Sequence, residues 1–160
     1  LPVALLLDRL LLVGLLLVGL LFKGLLFLRL PVACGRLFGA CVLNGLFLRS
    51  GANTGLEDDK DLANVNFNME IFKAFTKGYL EGAKSFLTPI EIENLPYAAA
   101  LFPYMQCVRF LADYINGDTY YKIKYPEHNL VRTKAQFKLL QSIEAHTPEM
   151  VEFINECLKS

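Results

Sequence analysis

Hydrophobic and polar residues are distributed in three different ways along the chain, and each distribution predicts a different kind of segment. Residues 1–48 are almost wholly apolar, residues 51–66 are polar and rich in turn formers, and later residues show helical spacing. In that last part, apolar positions recur three or four residues apart, which is the spacing of one helix face. The pattern therefore predicts a mostly-α fold preceded by a segment of another kind.

The first two predicted helices carry recognisable start signals. Asn68 is predicted to cap a helix that Gly82 ends. Its apolar residues at helical spacing are Ile71, Phe72, Phe75, Tyr79 and Leu80. Thr88 is predicted to cap the next helix, with Pro89 at its first position and Glu91 completing a capping box.

A long apolar helix is predicted over residues 97–115, after a break at Leu95-Pro96. Pro103 should kink or split this helix, because proline lacks the N–H donor and its ring meets the preceding turn. Asn116-Gly117 is predicted to end it. Residues 118–125 contain β-forming residues between two helices, so we expect an extended connector or an irregular turn.

The remaining residues predict two more helices. Asn129 is predicted to cap a helix that ends near His146, and Thr147-Pro148 repeats the cap-and-proline start for a last helix to about residue 158. The apolar stripe of the first of these helices comprises Leu130, Val131, Phe137, Leu140 and Ile143. Its basic residues Arg132, Lys134 and Lys138 are expected to face solvent.

The first 48 residues are a Leu-rich, low-complexity segment with 20 leucines and a single acid, Asp8. Their five-residue repeat matches neither the helical period nor the strand period, so it builds no single packing face. Residues 10–28 are long and apolar enough for a membrane helix. The other interpretations are a buried core helix, a signal peptide, which the missing basic start disfavours, and a non-native stretch from a shifted reading frame.

Composition narrows the function classes. Sixteen basic and sixteen acidic residues give no net charge, which argues against a nucleic-acid binder. Four cysteines without a C-x-x-C pair, and two histidines, argue against a zinc site, so the cysteines are expected to be structural in a reducing compartment. The acids Glu57, Asp58, Asp59 and Asp61 lack calcium-loop spacing and are expected to form a solvated loop.

Residues 51–146 resemble the C-terminal end of the sugar 1-kinases related to N-acetylhexosamine 1-kinase, in the aminoglycoside phosphotransferase and choline kinase superfamily. The matching phrases, in order, are GANTGLEDDKDLANVNF, EIFKAFTKGYL, SFLTPIEIENLP, CVRFLADYINGDTYYKI and YPEHNLVRTKAQFKLL. The resemblance implies that residues 49–160 are the helical tail of the C-lobe of a kinase-like fold. It also implies a parent activity that transfers phosphate from ATP, with Mg²⁺, to the anomeric hydroxyl of a sugar.

Phosphoryl transfer needs a carboxylate to orient the acceptor hydroxyl and further ligands to hold magnesium. In this family they lie in a His-x-Asp-x-x-x-x-Asn loop and an Ile-Asp-x-Asp-like strand, which should fall within residues 1–48. That segment has no histidine. His128 and His146 are followed by Asn-Leu and Thr-Pro, so neither of them begins a His-x-Asp motif. We therefore expect a cytoplasmic fragment that is inactive alone. The alternative is a small helical binding protein anchored in a membrane through residues 10–28.

By resemblance, Arg109 and Tyr120 match positions that line the sugar pocket. A guanidinium can donate paired hydrogen bonds to sugar hydroxyls, and tyrosine offers a flat face with a polar tip. The alternatives are an ion pair of Arg109 with Asp113, four residues later, and simple packing for Tyr120. His128 is expected to be structural.

Overall fold

The computed structural model describes residue 45 and residues 47–159. Of these residues 69% are helical, which confirms the prediction of a mostly-α fold. Four helices follow the helical residues 47–51: α1 (Met69–Ala83), α2 (Pro89–Glu93), α3 (Leu95–Ile115) and α4 (His128–Lys159). The interpretations of the Leu-rich segment, including the membrane helix over residues 10–28, lie outside the described residues. Within the described part, none of the helices combines the length and hydropathy needed to cross a membrane.

Helix α1 begins as predicted, because the Asn68 side chain accepts hydrogen bonds from the backbone N–H groups of Glu70 and Ile71. The helix ends at Ala83, one residue beyond the predicted stop at Gly82. The buried residues of α1 lie along one face: Phe72, Thr76, Leu80 and Ala83. Ala83 belongs to this face, so packing extends the helix past the glycine.

Helix α2 confirms the predicted capping box, with hydrogen bonds in both directions between Thr88 and Glu91. A break is expected at Leu95-Pro96, but helix α3 begins at Leu95 and includes Pro96. Proline is tolerated there because N–H groups in the first turn of a helix have no intrahelical acceptor, so none of the helix's hydrogen bonds is lost. Pro103 is buried inside α3 and does not split it.

Helix α4 corrects two predictions. Asn129 is not its N-cap, since the helix begins at His128, and Thr147-Pro148 does not start a new helix, since α4 continues through Pro148 to Lys159. Met150 and Ile154 beyond the proline are buried, so ending the helix there would remove both side chains from the core. The free energy gained by burying Met150 and Ile154 outweighs the cost of a proline inside the helix.

The core lies where α4 packs along α3 and, over a shorter length, against α1. As residue numbers fall along α3, those of the contacted residues rise along α4. The contacts are Asp113 with Asn129, Phe110 with Arg132, and Cys107 with Thr133. The two helices are therefore antiparallel, joined by a connector at residues 116–127.

Hydrogen bonds within the polar loop at residues 52–68, and one to helix α4, hold the loop in place. Asn53 and Phe67 form an antiparallel bridge, and the Thr54 hydroxyl donates to the Asn64 carbonyl. The Phe67 N–H donates to Ser142 Oγ on α4 at 2.9 Å. The polar segment predicted over residues 51–66 thus lacks regular structure from Ala52 onward, but it is tied to the helical core.

Candidate functional site

The connector between α3 and α4 reverses the chain direction at its first residues. Asn116 is the C-cap of α3, and Gly117 (φ 84°) and Asp118 (φ 57°) both adopt left-handed backbone conformations. Glycine favours this conformation, and aspartate tolerates it better than most residues do. The connector that follows is irregular, as predicted from its position between two helices.

Asp113, in the last turn of α3, organises this connector. Its side chain is buried, with 6% of its surface exposed. One carboxylate oxygen accepts from Tyr120 N at 2.8 Å, and the other accepts from Tyr121 N and Asn129 Nδ2, both at 2.9 Å. The ion pair of Asp113 with Arg109, considered as an alternative from the sequence, is therefore not formed.

The surroundings of Asp113 favour its charged form. Burial by itself raises the pKa of this carboxyl group, but hydrogen bonds from the N–H groups of Tyr121, Tyr120 and Thr119 and from the Asn129 amide lower it further than burial raises it. The pKa is therefore below its ordinary value. Oriented amide groups stabilise the buried carboxylate here, in place of a cation.

Asn129, at the start of α4, joins the two sides of the connector. Its Nδ2 donates to Asp113 and, at 2.8 Å, to Asp118 Oδ1, while its Oδ1 accepts from Arg132. The predicted capping role of Asn129 is wrong because its side chain faces the connector and not the first turn of α4. The Asn129 side chain instead hydrogen-bonds to Asp113 of α3.

Arg109 and Tyr120 lie side by side at the outer surface of this arrangement. The Arg109 guanidinium carbon is 6.0 Å from the centre of the Tyr120 ring and 5.6 Å from that of Tyr121. Tyr120 is 74% exposed, and its ring is nearly perpendicular to that of Tyr121, with the ring centres 4.8 Å apart. The structure thus brings together the two residues that the resemblance assigns to a sugar pocket. The pair combines guanidinium donors with an accessible aromatic face.

The expectation that Arg132 faces solvent is wrong. Its side chain is 15% exposed, lies 5.3 Å from the centre of the Phe110 ring, and donates to the Asn129 side chain at 3.1 Å. Arg132 therefore contacts both Phe110 of α3 and the Asn129 side chain that binds the connector. Lys134, by contrast, is exposed as predicted, and Lys138 is partly buried.

His128, which is expected to be structural, is completely buried. Its Nδ1 accepts from Lys124 N at 3.2 Å, so the proton resides on Nε2, which donates to Asp58 Oδ2 at 2.9 Å. The Lys124 ammonium also donates to Asp58 at 2.9 Å. Hydrogen bonds from the Lys124 and His128 side chains lower the pKa of Asp58 to about 2.

The acidic loop is consequently less solvated than its sequence predicts. Glu57 pairs with Arg49 at 2.9 Å, and Asp58 is partly buried against His128. Of the four acids, Asp61 is exposed and the other three are partly buried. Arg49 thus anchors Glu57, and His128 of α4 and Lys124 of the connector anchor Asp58.

The contacts of Asp113 and Asn129 are not predicted by the sequence pattern. One signal was available, because an acidic residue in the last turn of a helix opposes the helix dipole and so needs another source of stabilisation. The Tyr120 and Tyr121 amides provide it. Their position could not be read from spacing, since the connector has no regular period.

Among residue 45 and residues 47–159, no group of three or more His, Cys, Asp or Glu side chains could hold a metal ion. The buried carboxylates of Asp113 and Glu91 both accept hydrogen bonds from protein groups. We assign the described residues no step of phosphoryl transfer. No protein-family model matches the chain.

Proposed function

We propose that this chain carries the sugar-binding helical part of the C-lobe of an ATP-dependent sugar 1-phosphotransferase of the N-acetylhexosamine 1-kinase type. One observation supports this proposal above the others. Arg109, on α3, and Tyr120, on the connector, are the two residues that the resemblance assigns to the sugar, and they adjoin each other at the surface.

The chemistry of this surface suits a neutral, hydroxyl-rich ligand. The guanidinium of Arg109 can donate hydrogen bonds to adjacent hydroxyls or to an acetamido oxygen, while the Tyr120 ring can stack on the apolar face of a pyranose. The surface is held in place from below by Asp113 and Asn129. Less ordering is then required when a ligand binds.

The proposal places the protein in the cytoplasm. Cys107, which is buried in the part of the chain that the structure describes, is not in a disulfide. A reducing compartment is consistent with this state. ATP and Mg²⁺ belong to the proposed parent activity, and the polypeptide alone is proposed to bind the sugar without phosphorylating it.

Ligand-observed NMR with N-acetylglucosamine and N-acetylgalactosamine tests the binding surface. We expect Arg109→Ala and Tyr120→Ala each to weaken binding by about tenfold, the loss typical of one charge-assisted hydrogen bond or one aromatic contact. Lys77→Ala and Phe86→Ala are matched controls, because both residues are exposed and lie outside the connector. Equal binding by the wild-type chain and both site variants would contradict the proposal, as would the absence of binding by the wild-type chain.

A second experiment tests the expected lack of activity. The full chain is incubated with ATP, Mg²⁺ and either sugar, and sugar 1-phosphate is measured against a reaction without protein. We expect no product above this background. Turnover that is lost in Arg109→Ala would show that the chain has its own catalytic groups and would overturn this half of the proposal.

A further inference from the structure

We infer that Asp113 is a positioning residue, whose buried carboxylate holds the backbone of Tyr120 and Tyr121 so that Tyr120 stands beside Arg109 for contact with the ligand. The identity of the ligand rests on the proposed function. The positioning itself rests on contacts within the chain and can be tested without any ligand.

The geometry indicates that the backbone, and not packing, determines where the Tyr120 ring lies. Most of Tyr120 is exposed, so few neighbours restrain its ring, apart from the Tyr121 ring and the Arg109 guanidinium. The two oxygens of Asp113 accept from the N–H groups of two successive residues, at 2.8 and 2.9 Å. Two such bonds to one rigidly placed carboxylate fix the position and orientation of the connector at this point.

Helix α3 provides both the ligand-contacting residue and the positioning residue. Arg109 and Asp113 are four residues apart, so their side chains project from the same face of α3. Because amide groups satisfy the Asp113 carboxylate, this carboxylate does not engage the guanidinium of its neighbour Arg109. The donors of Arg109 are therefore not consumed by an ion pair with Asp113.

Asn129 extends this arrangement to α4. Its amide bridges the carboxylates of Asp113 and Asp118 at 2.9 and 2.8 Å. The backbone N–H of Asp118 also donates to the Asp113 carbonyl at 2.8 Å. The start of the connector, its tyrosine pair and the first turn of α4 are thus all attached to Asp113.

Amide hydrogen exchange on the full wild-type chain gives the first test. We expect the N–H groups of Tyr120 and Tyr121 to exchange more slowly than those of the neighbouring exposed residues Lys122 and Ile123, because a buried carboxylate accepts their protons. An NOE between the Arg109 side chain and the Tyr120 ring is expected as well. Unprotected amides at both tyrosines would overturn the inference.

Asp113→Asn, which preserves shape but removes one acceptor and the charge, gives the second test. We expect loss of amide protection at Tyr120 and Tyr121, loss of the NOE, and about tenfold weaker sugar binding. Asp61→Asn removes an exposed charge from another loop and should change none of these readouts. Wild-type protection and wild-type affinity in Asp113→Asn would overturn the inference.

The triple variant Asp113→Asn, Asn129→Asp and Asp118→Asn separates positioning from general stability. The exchange of residues 113 and 129 keeps an amide-to-carboxylate hydrogen bond between α3 and α4, and Asp118→Asn removes the like charge that the new carboxylate at position 129 would otherwise face. We therefore expect stability to recover relative to Asp113→Asn. We expect tyrosine amide protection and sugar affinity to remain low, because residue 113 no longer carries two acceptor oxygens. Full recovery of protection and affinity would show that the pair is merely structural. If the wild-type chain binds neither sugar, the proposed function fails, while the exchange and NOE measurements still decide the positioning.

Discussion

Asp58 offers a direct test of how the acidic loop is held to the helical core. Replacing Asp58 with Ala removes the acceptor of the buried His128 Nε2–H and of the Lys124 ammonium. The Nδ1 atom of His128 already accepts from the backbone, so the ring cannot satisfy both positions by changing its tautomer. A buried donor is therefore left without a partner.

The cost of this change follows from the burial of each contact. Leaving the fully buried His128 donor unsatisfied costs about 1–3 kcal/mol. The Lys124 side chain is 70% exposed, so its ion pair adds at most about 0.5 kcal/mol. We expect Asp58→Ala to lower the free energy of unfolding by about 2 kcal/mol, and Tm by roughly 6–12 °C for a domain of this size. Asp58→Asn retains one acceptor oxygen and should cost less than Asp58→Ala.

The contribution of Asp58 also depends on pH. Its pKa is about 2 in the folded protein and 3.8 ordinarily, so the unfolded chain binds the proton more readily. The stabilisation is fully present above about pH 4 and is lost as the pH falls toward about 2. The difference in unfolding free energy between the wild-type chain and Asp58→Ala should therefore shrink across this range.

Urea denaturation followed by far-ultraviolet circular dichroism, near pH 7 and near pH 3, measures both effects. Asp61→Asn is the control, because Asp61 is exposed and asparagine can still accept from the Ala63 N–H. We expect this variant to lie within about 0.5 kcal/mol of the wild-type chain. The reasoning is refuted if Asp58→Ala is as stable as Asp61→Asn near neutral pH, or if its deficit grows in acid.

Three further predictions concern the core, a helix cap and a cysteine. Phe72→Ala should lower the free energy of unfolding by about 3–5 kcal/mol, because the ring is completely buried; urea denaturation measures it, and a loss below about 1 kcal/mol would contradict it. Thr88→Ala should cost about 1 kcal/mol by breaking the capping box, measured as a fall in Tm, whereas Ser85→Ala at an exposed position should not. Burial raises the pKa of the Cys107 thiol to about 12, so Cys107 should resist iodoacetamide in the native chain and react after denaturation. Peptide mass spectrometry measures the labelling, and rapid labelling of the native chain would contradict the burial of this thiol.

The helix starts at Asn68 and Thr88 could be predicted because their physics is local. In both cases the side-chain oxygen and the N–H groups it satisfies lie within three residues. The irregular connector and its Asn116-Gly117 start were predictable for the same reason, since φ preferences act at single residues.

The predictions at Asn129 and Pro148 failed because local signals were outweighed by packing. Both residues stand in patterns that usually begin a helix, yet α4 starts before Asn129 and runs through Pro148. The carboxylates of Asp113 and Asp118 bind Asn129, and burial of Met150 and Ile154 continues the helix beyond the proline. Neither influence is visible within one helical turn of sequence.

The amino-acid sequence by itself determined that this part of the protein is helical and where α1 and α2 begin, because side-chain caps and apolar spacing act over a few residues. Only the tertiary structure decided that Asp113 holds the connector and that Asp58, 70 residues before His128, anchors the acidic loop. It likewise placed Arg109 against Tyr120. Such contacts form only after α3 and α4 pack together and exclude water, which makes each buried polar group require a particular partner.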